Sequence, residues 1–133
     1  MNDQKSLAEM MMRRYGFRHF SALADFLKGK SLLEDKCDKE VARLCGDDPI
    51  KLFTRVTQID PENPYSWAYL LFAMEDAGGY TIKQLADVSA KWHEAAVTYK
   101  YQGQNALALA YLTKYIKMEE RGTENEPIPE RAA

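Results

Sequence analysis

The residues that could do chemistry are few. The chain has His19 and His93, Cys37 and Cys45, and no pattern among them completes a reactive set. A metalloprotease helix needs a second histidine one helical turn after the first, so that both rings meet one zinc ion. After His93 and Glu94 that place is held by Val97. Cys37 and Cys45 lie eight residues apart in a polar stretch, with neither a C-x-x-C pair nor a nearby histidine to make up a zinc set. They read as free thiols of a reducing compartment. No glycine-rich phosphate loop is present, because Gly78-Gly79 falls where a helix should stop. The carboxylate pairs Asp47-Asp48 and Glu75-Asp76 fall at helix ends, where caps and solvated charge account for them. The expectation is a protein that is not an enzyme, with no cofactor and no metal.

Aromatic and basic side chains are the more informative feature. Tyr65 and Tyr69 lie one helical turn apart, off the face that carries Leu70 and Met74, and Tyr111 and Tyr115 repeat that spacing. Displayed aromatics offer large contact area at low entropic cost, so these four are candidate partner-binding residues. Residues 1–30 carry six Lys or Arg against three Asp or Glu, whereas residues 31–63 carry five against eight. That makes Arg13 and Arg14 candidates as well, for an acidic partner or a nucleic acid. The net charge of -2 gives no electrostatic case for coating a polyanion. Met10, Met11 and Met12 add a flexible apolar patch.

The elements that position these residues are helical. Apolar residues recur three and four apart, and no segment alternates as a half-buried strand does. The 133 residues, 46% hydrophobic and 29% charged, suit one core. The expected fold is all-α, a compact bundle of about five or six helices, with residues 1–121 as a single domain and 122–133 as a flexible tail. Gly16 ends or bends the first helix; Phe20, Leu23, Ala24 and Leu27 form a second stripe closed by Lys28, Gly29 and Lys30. A short helix is expected from Asp38 to Cys45. Asp48 caps a helix with Pro49 in its first turn, running to Ile59 with Ile50, Phe53, Val56 and Thr57 inward. Residues 60–64, DPENP, are a tight turn, since two prolines three apart cannot share one helix. The next helix runs from Pro64 to Ala77 with Trp67, Leu70, Leu71 and Met74 on one face. It stops at Gly78, and Thr81 caps another whose stripe reaches Tyr101. After Gly103 the last helix, Gln104 to Glu120, is so apolar that a central or interface position is expected.

With Pro61 as the terminal proline of a unit, Trp67 takes the first large position of the next, and Leu70, Leu71 and Met74 take its packing positions. Trp92, Ala95, Ala96, Tyr99, Gly103 and Ala108 repeat the pattern. Residues 49–121 therefore resemble tetratricopeptide antiparallel hairpins, in which small residues let helices approach and aromatics fill the gap between units. Trp67 and Trp92 are 25 residues apart, where that repeat has a period of about 34. One long helix shared by two hairpins reconciles the two. The resemblance does not reach residues 1–48. It implies a protein-interaction module, an adaptor or chaperone-like protein similar in size to small bacterial secretion chaperones of this kind, with another protein or a second copy as partner.

The alternative is a small transcriptional or phage-type regulator touching nucleic acid through Arg13, Arg14, Arg18, Lys28 and Lys30. It is the weaker reading: the segment after RRYGFRHFSALADFLKGKS is the acidic LLEDKCDKE and not a basic recognition helix. The opening lacks the basic start and apolar core of a signal peptide, and no apolar run approaches the ~20 residues that cross a bilayer. A cytoplasmic protein without a membrane partner is expected.

Overall fold

The computed structural model describes residues 3–35, 48–99 and 104–121. Its described residues form six helices: α1 (Asp3–Tyr15), α2 (Phe20–Asp35), α3 (Pro49–Ile59), α4 (Pro64–Ala77), α5 (Ile82–Tyr99) and α6 (Gln104–Glu120). The fold class is all-α. The helix expected at 38–45, both cysteines, Tyr101, Gly103 and the tail lie outside the described residues.

Local chemistry accounts for the boundaries. At α3 the Asp48 side chain accepts from the Ile50 N–H at 3.0 Å, and Pro49 occupies the first helical turn. Asn63 and Pro64 repeat the arrangement at α4, where the asparagine oxygen accepts from the Tyr65 N–H at 2.9 Å. Each cap satisfies a backbone donor that a helix start leaves without a partner. Thr81 and Gln84 cap α5 reciprocally: the threonine oxygen accepts from the Gln84 N–H at 3.1 Å and the glutamine oxygen from the Thr81 N–H at 2.8 Å. Gly78 and Gly79, at φ 76° and 84°, hold the left-handed backbone that lets α4 stop and the chain turn back.

Neighbouring helices pack as hairpins, so that α2 lies on α3, α3 on α4, α4 on α5 and α5 on α6, with α1 resting lightly on α2. One contiguous set of buried side chains runs through the stack from Tyr15 to Tyr115. Its thread is aromatic. Phe17 and Tyr15 each lie 4.9 Å from Phe26, Phe26 lies 4.8 Å from Tyr69, Tyr69 5.5 Å from Phe72, and Phe72 5.5 Å from Trp92. Such edge-to-face and tilted pairs align the ring quadrupoles and stabilise beyond the area they bury.

Two expectations need correction. The second helix does not close at Gly29 but continues to Asp35, and its buried stripe is Ala22, Leu23, Phe26 and Gly29, with Phe20 and Ala24 exposed. Gly29 is there for close approach. A Cβ on it would lie 2.8 Å from Phe53 Cζ and 3.0 and 3.1 Å from the ring's Cε atoms. The second concerns α6, for which the central half of the expectation does not hold: it packs on α5 at the end of the stack and buries Ala108 and Tyr115.

Gly29→Ala sets two effects against each other. Helix propensity favours alanine by about 1 kcal/mol, while overpacking a filled core costs about 1–3 kcal/mol. Phe53 is fully buried with Phe26 and Tyr69 at 6.0 and 5.6 Å, so its ring has nowhere to go. A net loss of up to about 2 kcal/mol in urea unfolding is expected, recovered by Phe53→Leu in the same chain. A Gly29→Ala protein more stable than the parent would contradict the close-approach role.

Candidate functional site

The aromatic candidates lie along the core, with Tyr115 buried and Tyr65, Tyr69 and Tyr111 partly buried. Tyr65 lies 5.2 Å edge-on to Tyr15, and Tyr69 packs on Phe26 and Phe53. Tyr111 lies 5.7 Å from Phe72 and 5.4 Å from Trp92. Tyr115 is 1% exposed and donates its hydroxyl to Glu75, toward which Lys114 also points at 3.4 Å. Tyr115 is thereby removed from a displayed aromatic surface, whereas Tyr65, Tyr69 and Tyr111 pack against the core and stay partly exposed. The physical reason is that α4 is covered by α3 and α5 and touched by α2, so residues off its main stripe are still packed.

The same packing shifts ionisation. Burial pushes the Tyr69 hydroxyl above its ordinary range, with the nearby Glu34 carboxylate adding to the effect. The Glu34 hydrogen bond, at 2.7 Å, holds the Lys30 ammonium above its ordinary value. Both shifts carry the groups further from neutrality. His19 is exposed and His93 half-buried, and among the described residues no three His, Cys, Asp or Glu side chains converge as a metal site would require.

Arg13 and Arg14 are exposed in the last turn of α1, the latter with its guanidinium 5.6 Å from the Tyr15 ring centre. Other cations of the basic segment are engaged: Arg18 pairs with Glu62 at 2.7 Å and Lys30 with Glu34 at 2.7 Å. A shallow cavity of about 240 Å³ opens between the α3–α4 turn and α5, lined by Pro61, Glu62, Trp67, Lys91, Glu94, Ala95 and Thr98. Trp67 forms part of its wall, its indole N–H donating to the Pro61 carbonyl at 2.7 Å. Charges of both signs line it, from Lys91, Glu62 and Glu94.

What the sequence reading missed is where large apolar side chains face water. Leu7 and Met10 on α1, Phe20 at the start of α2, Val97 on α5, and Leu107, Leu109 and Ile116 on α6 are exposed. Among the described residues no large apolar side chain of α3 or α4 is exposed. The signal was present in α6, whose apolar content exceeds what one buried stripe uses.

Among the described residues no helix is long and apolar enough to cross a membrane. Comparison with known proteins gives no match: no family model, no curated protein and no solved structure is significantly similar to the chain.

Proposed function

We propose that the chain is a non-enzymatic protein–protein interaction module, an adaptor or chaperone-like protein of tetratricopeptide-type hairpins that holds a helix or peptide of a partner and associates with itself. The observation that carries this reading is the distribution of exposed apolar side chains. Five of the seven lie on the end helices α1 and α6, Phe20 and Val97 lie on the adjoining α2 and α5, and among the described residues none lies on α3 or α4. Stacked-helix proteins need a polar outer face on their terminal elements to remain alone in solution, and exposed apolar patches rimmed by charge are where soluble proteins meet partners. The tetratricopeptide likeness is supported by α5. It is one unbroken helix packed on both α4 and α6, with Ala96 and Ala108 fully buried.

At the α1 end, Leu7 and Met10 stand more than half exposed on a helix that also exposes Arg13 and Arg14. That combination suits an acidic amphipathic helix. It also argues for protein over nucleic acid, since phosphate binding uses cations and leaves the apolar residues without a role.

Affinity capture from the native cell, with mass spectrometry, tests the reading. The wild-type chain is expected to retain a stoichiometric protein that the double variant Leu7→Glu, Met10→Glu loses while keeping its helical circular dichroism. Salt-sensitive retention on nonspecific DNA, lost when Arg13 and Arg14 become Ala, would favour the regulator instead.

A further inference from the structure

The outer line of α1 has a self-complementary order. Asp3, Leu7, Met10 and Arg14 follow one another at spacings of four, three and four, which puts these positions on one line of the helix. Leu7 is 54% and Met10 60% exposed, and Arg14 is exposed as well. Met11, Met12 and Tyr15 lie further round α1 and are the residues that pack against the core. The line thus begins with an acid, holds two large apolar residues at its centre and ends with a base. Reversed, it is its own complement.

We infer that this line receives α1 of a second copy of the chain, antiparallel, about a two-fold axis midway between Leu7 and Met10. A two-fold contact uses the same patch on both copies, so the patch has to complement itself. In this register Leu7 of each copy meets Met10 of the other, and Asp3 of each comes opposite Arg14 of the other. The remaining charges of α1 fit the same arrangement. Arg13, exposed beside the line, comes opposite Gln4 and Ser6, while Lys5 and Glu9 occupy helix positions turned away from the contact. Arg18, just beyond α1, is already paired with Glu62 at 2.7 Å. Charge selects the direction. Parallel pairing would bring Arg13 and Arg14 against their own counterparts and Asp3 against Asp3, whereas the antiparallel register opposes no like charges. It also sets the electropositive start of each helix beside the electronegative end of the other.

The pairing gives a geometry to the self-association named above and rests on that part of the proposal. It uses the same residues as partner capture, so the dimer and a captured helix exclude each other. Two apolar layers and two exposed ion pairs make a small, reversible interface. Sedimentation equilibrium over a concentration series should show the 15.3 kDa chain passing reversibly from monomer to dimer. Arg14→Asp and Asp3→Arg should each weaken that dimer by about tenfold or more, since symmetry repeats every change twice, with circular dichroism unchanged. Arg14→Asp stands as the test alone if Asp3→Arg frays the start of α1. An equimolar mixture of the two variants should associate again, because each reversed charge then finds its opposite. Monomer at every concentration, a dimer indifferent to Arg14→Asp, or a mixture that associates no better than its components overturns the pairing. A monomeric chain that still captures its partner through Leu7 and Met10 overturns the pairing alone and leaves the adaptor reading standing. A dimer with the expected charge dependence that captures no other protein overturns the adaptor reading and leaves the pairing.

Discussion

Trp92→Ala is expected to lower the unfolding free energy by about 3–5 kcal/mol, a large share of the roughly 5–15 kcal/mol that holds a domain of this kind together. Trp92 is completely buried on α5 and is the joint of three helices. Its ring meets Phe72 of α4 at 5.5 Å nearly edge-on and Tyr111 of α6 at 5.4 Å. Its indole N–H donates to the Gln104 side chain at 3.0 Å, at the first residue of α6. Alanine would leave a cavity between helices that are braced by one another and cannot simply collapse inward. Trp92→Phe separates the contributions: it keeps a ring against Phe72 and Tyr111 and removes the hydrogen bond, so it should cost distinctly less. Urea unfolding followed by circular dichroism measures both, and hydrogen exchange in α6 should rise more than in α2. A loss below about 1 kcal/mol for Trp92→Ala would show that α6 is held by something other than this joint.

Trp92 also marks how far the fold was legible. Its burial follows from the stripe Ile82, Leu85, Ser89, Trp92, Ala96, and α5 is one helix as that unbroken stripe implies. The ends of α3 and α4 were equally plain, because Asp48-Pro49 and Asn63-Pro64 encode cap and first turn within two residues. Gly29 was misread for a physical reason. Its role is set by the Phe53 ring, 24 positions along the chain, and a local pattern scores glycine as a stop whether or not another helix needs its missing side chain. Tyr65 and Tyr69 pack more closely than a single helical wheel suggests, because it shows one stripe while α4 is covered from several directions. The exposure of Arg13 and Arg14 was legible, since two adjacent arginines at a helix end have little chance of burial. The outward apolar residues of α6 were visible only as excess hydrophobicity, because composition does not distinguish a helix inside a stack from one at its end.

Asn63→Ala is expected to cost about 2–4 kcal/mol, the sum of a lost helix cap and a buried acceptor left without its donor. Asn63 is 2% exposed, and its side chain does two things at once. Its oxygen caps α4 by accepting from Tyr65 N–H. Its amide N–H₂ reaches 48 residues back to donate to the Tyr15 carbonyl at 2.8 Å, where α1 ends. Beside it the Asp60 carboxylate accepts from the Arg18 N–H at 2.8 Å, so the α3–α4 turn holds both sides of the α1–α2 connection. Because α1 rests lightly on α2, these hydrogen bonds are much of what fixes it. Asn63→Asp resolves the two roles: a carboxylate can still cap α4 but cannot donate, and it would face the Tyr15 carbonyl with its own negative charge. In that variant α4 should stay protected against hydrogen exchange while α1 loses protection and Leu7 and Met10 lose their fixed position relative to the stack. Protection of α1 that is unchanged in Asn63→Asp would mean that its place depends on the Tyr15 ring packing alone. If α1 does come free, partner capture should fall with it although every side chain of the α1 surface is intact, which ties the reach of one buried amide to the function proposed for the chain.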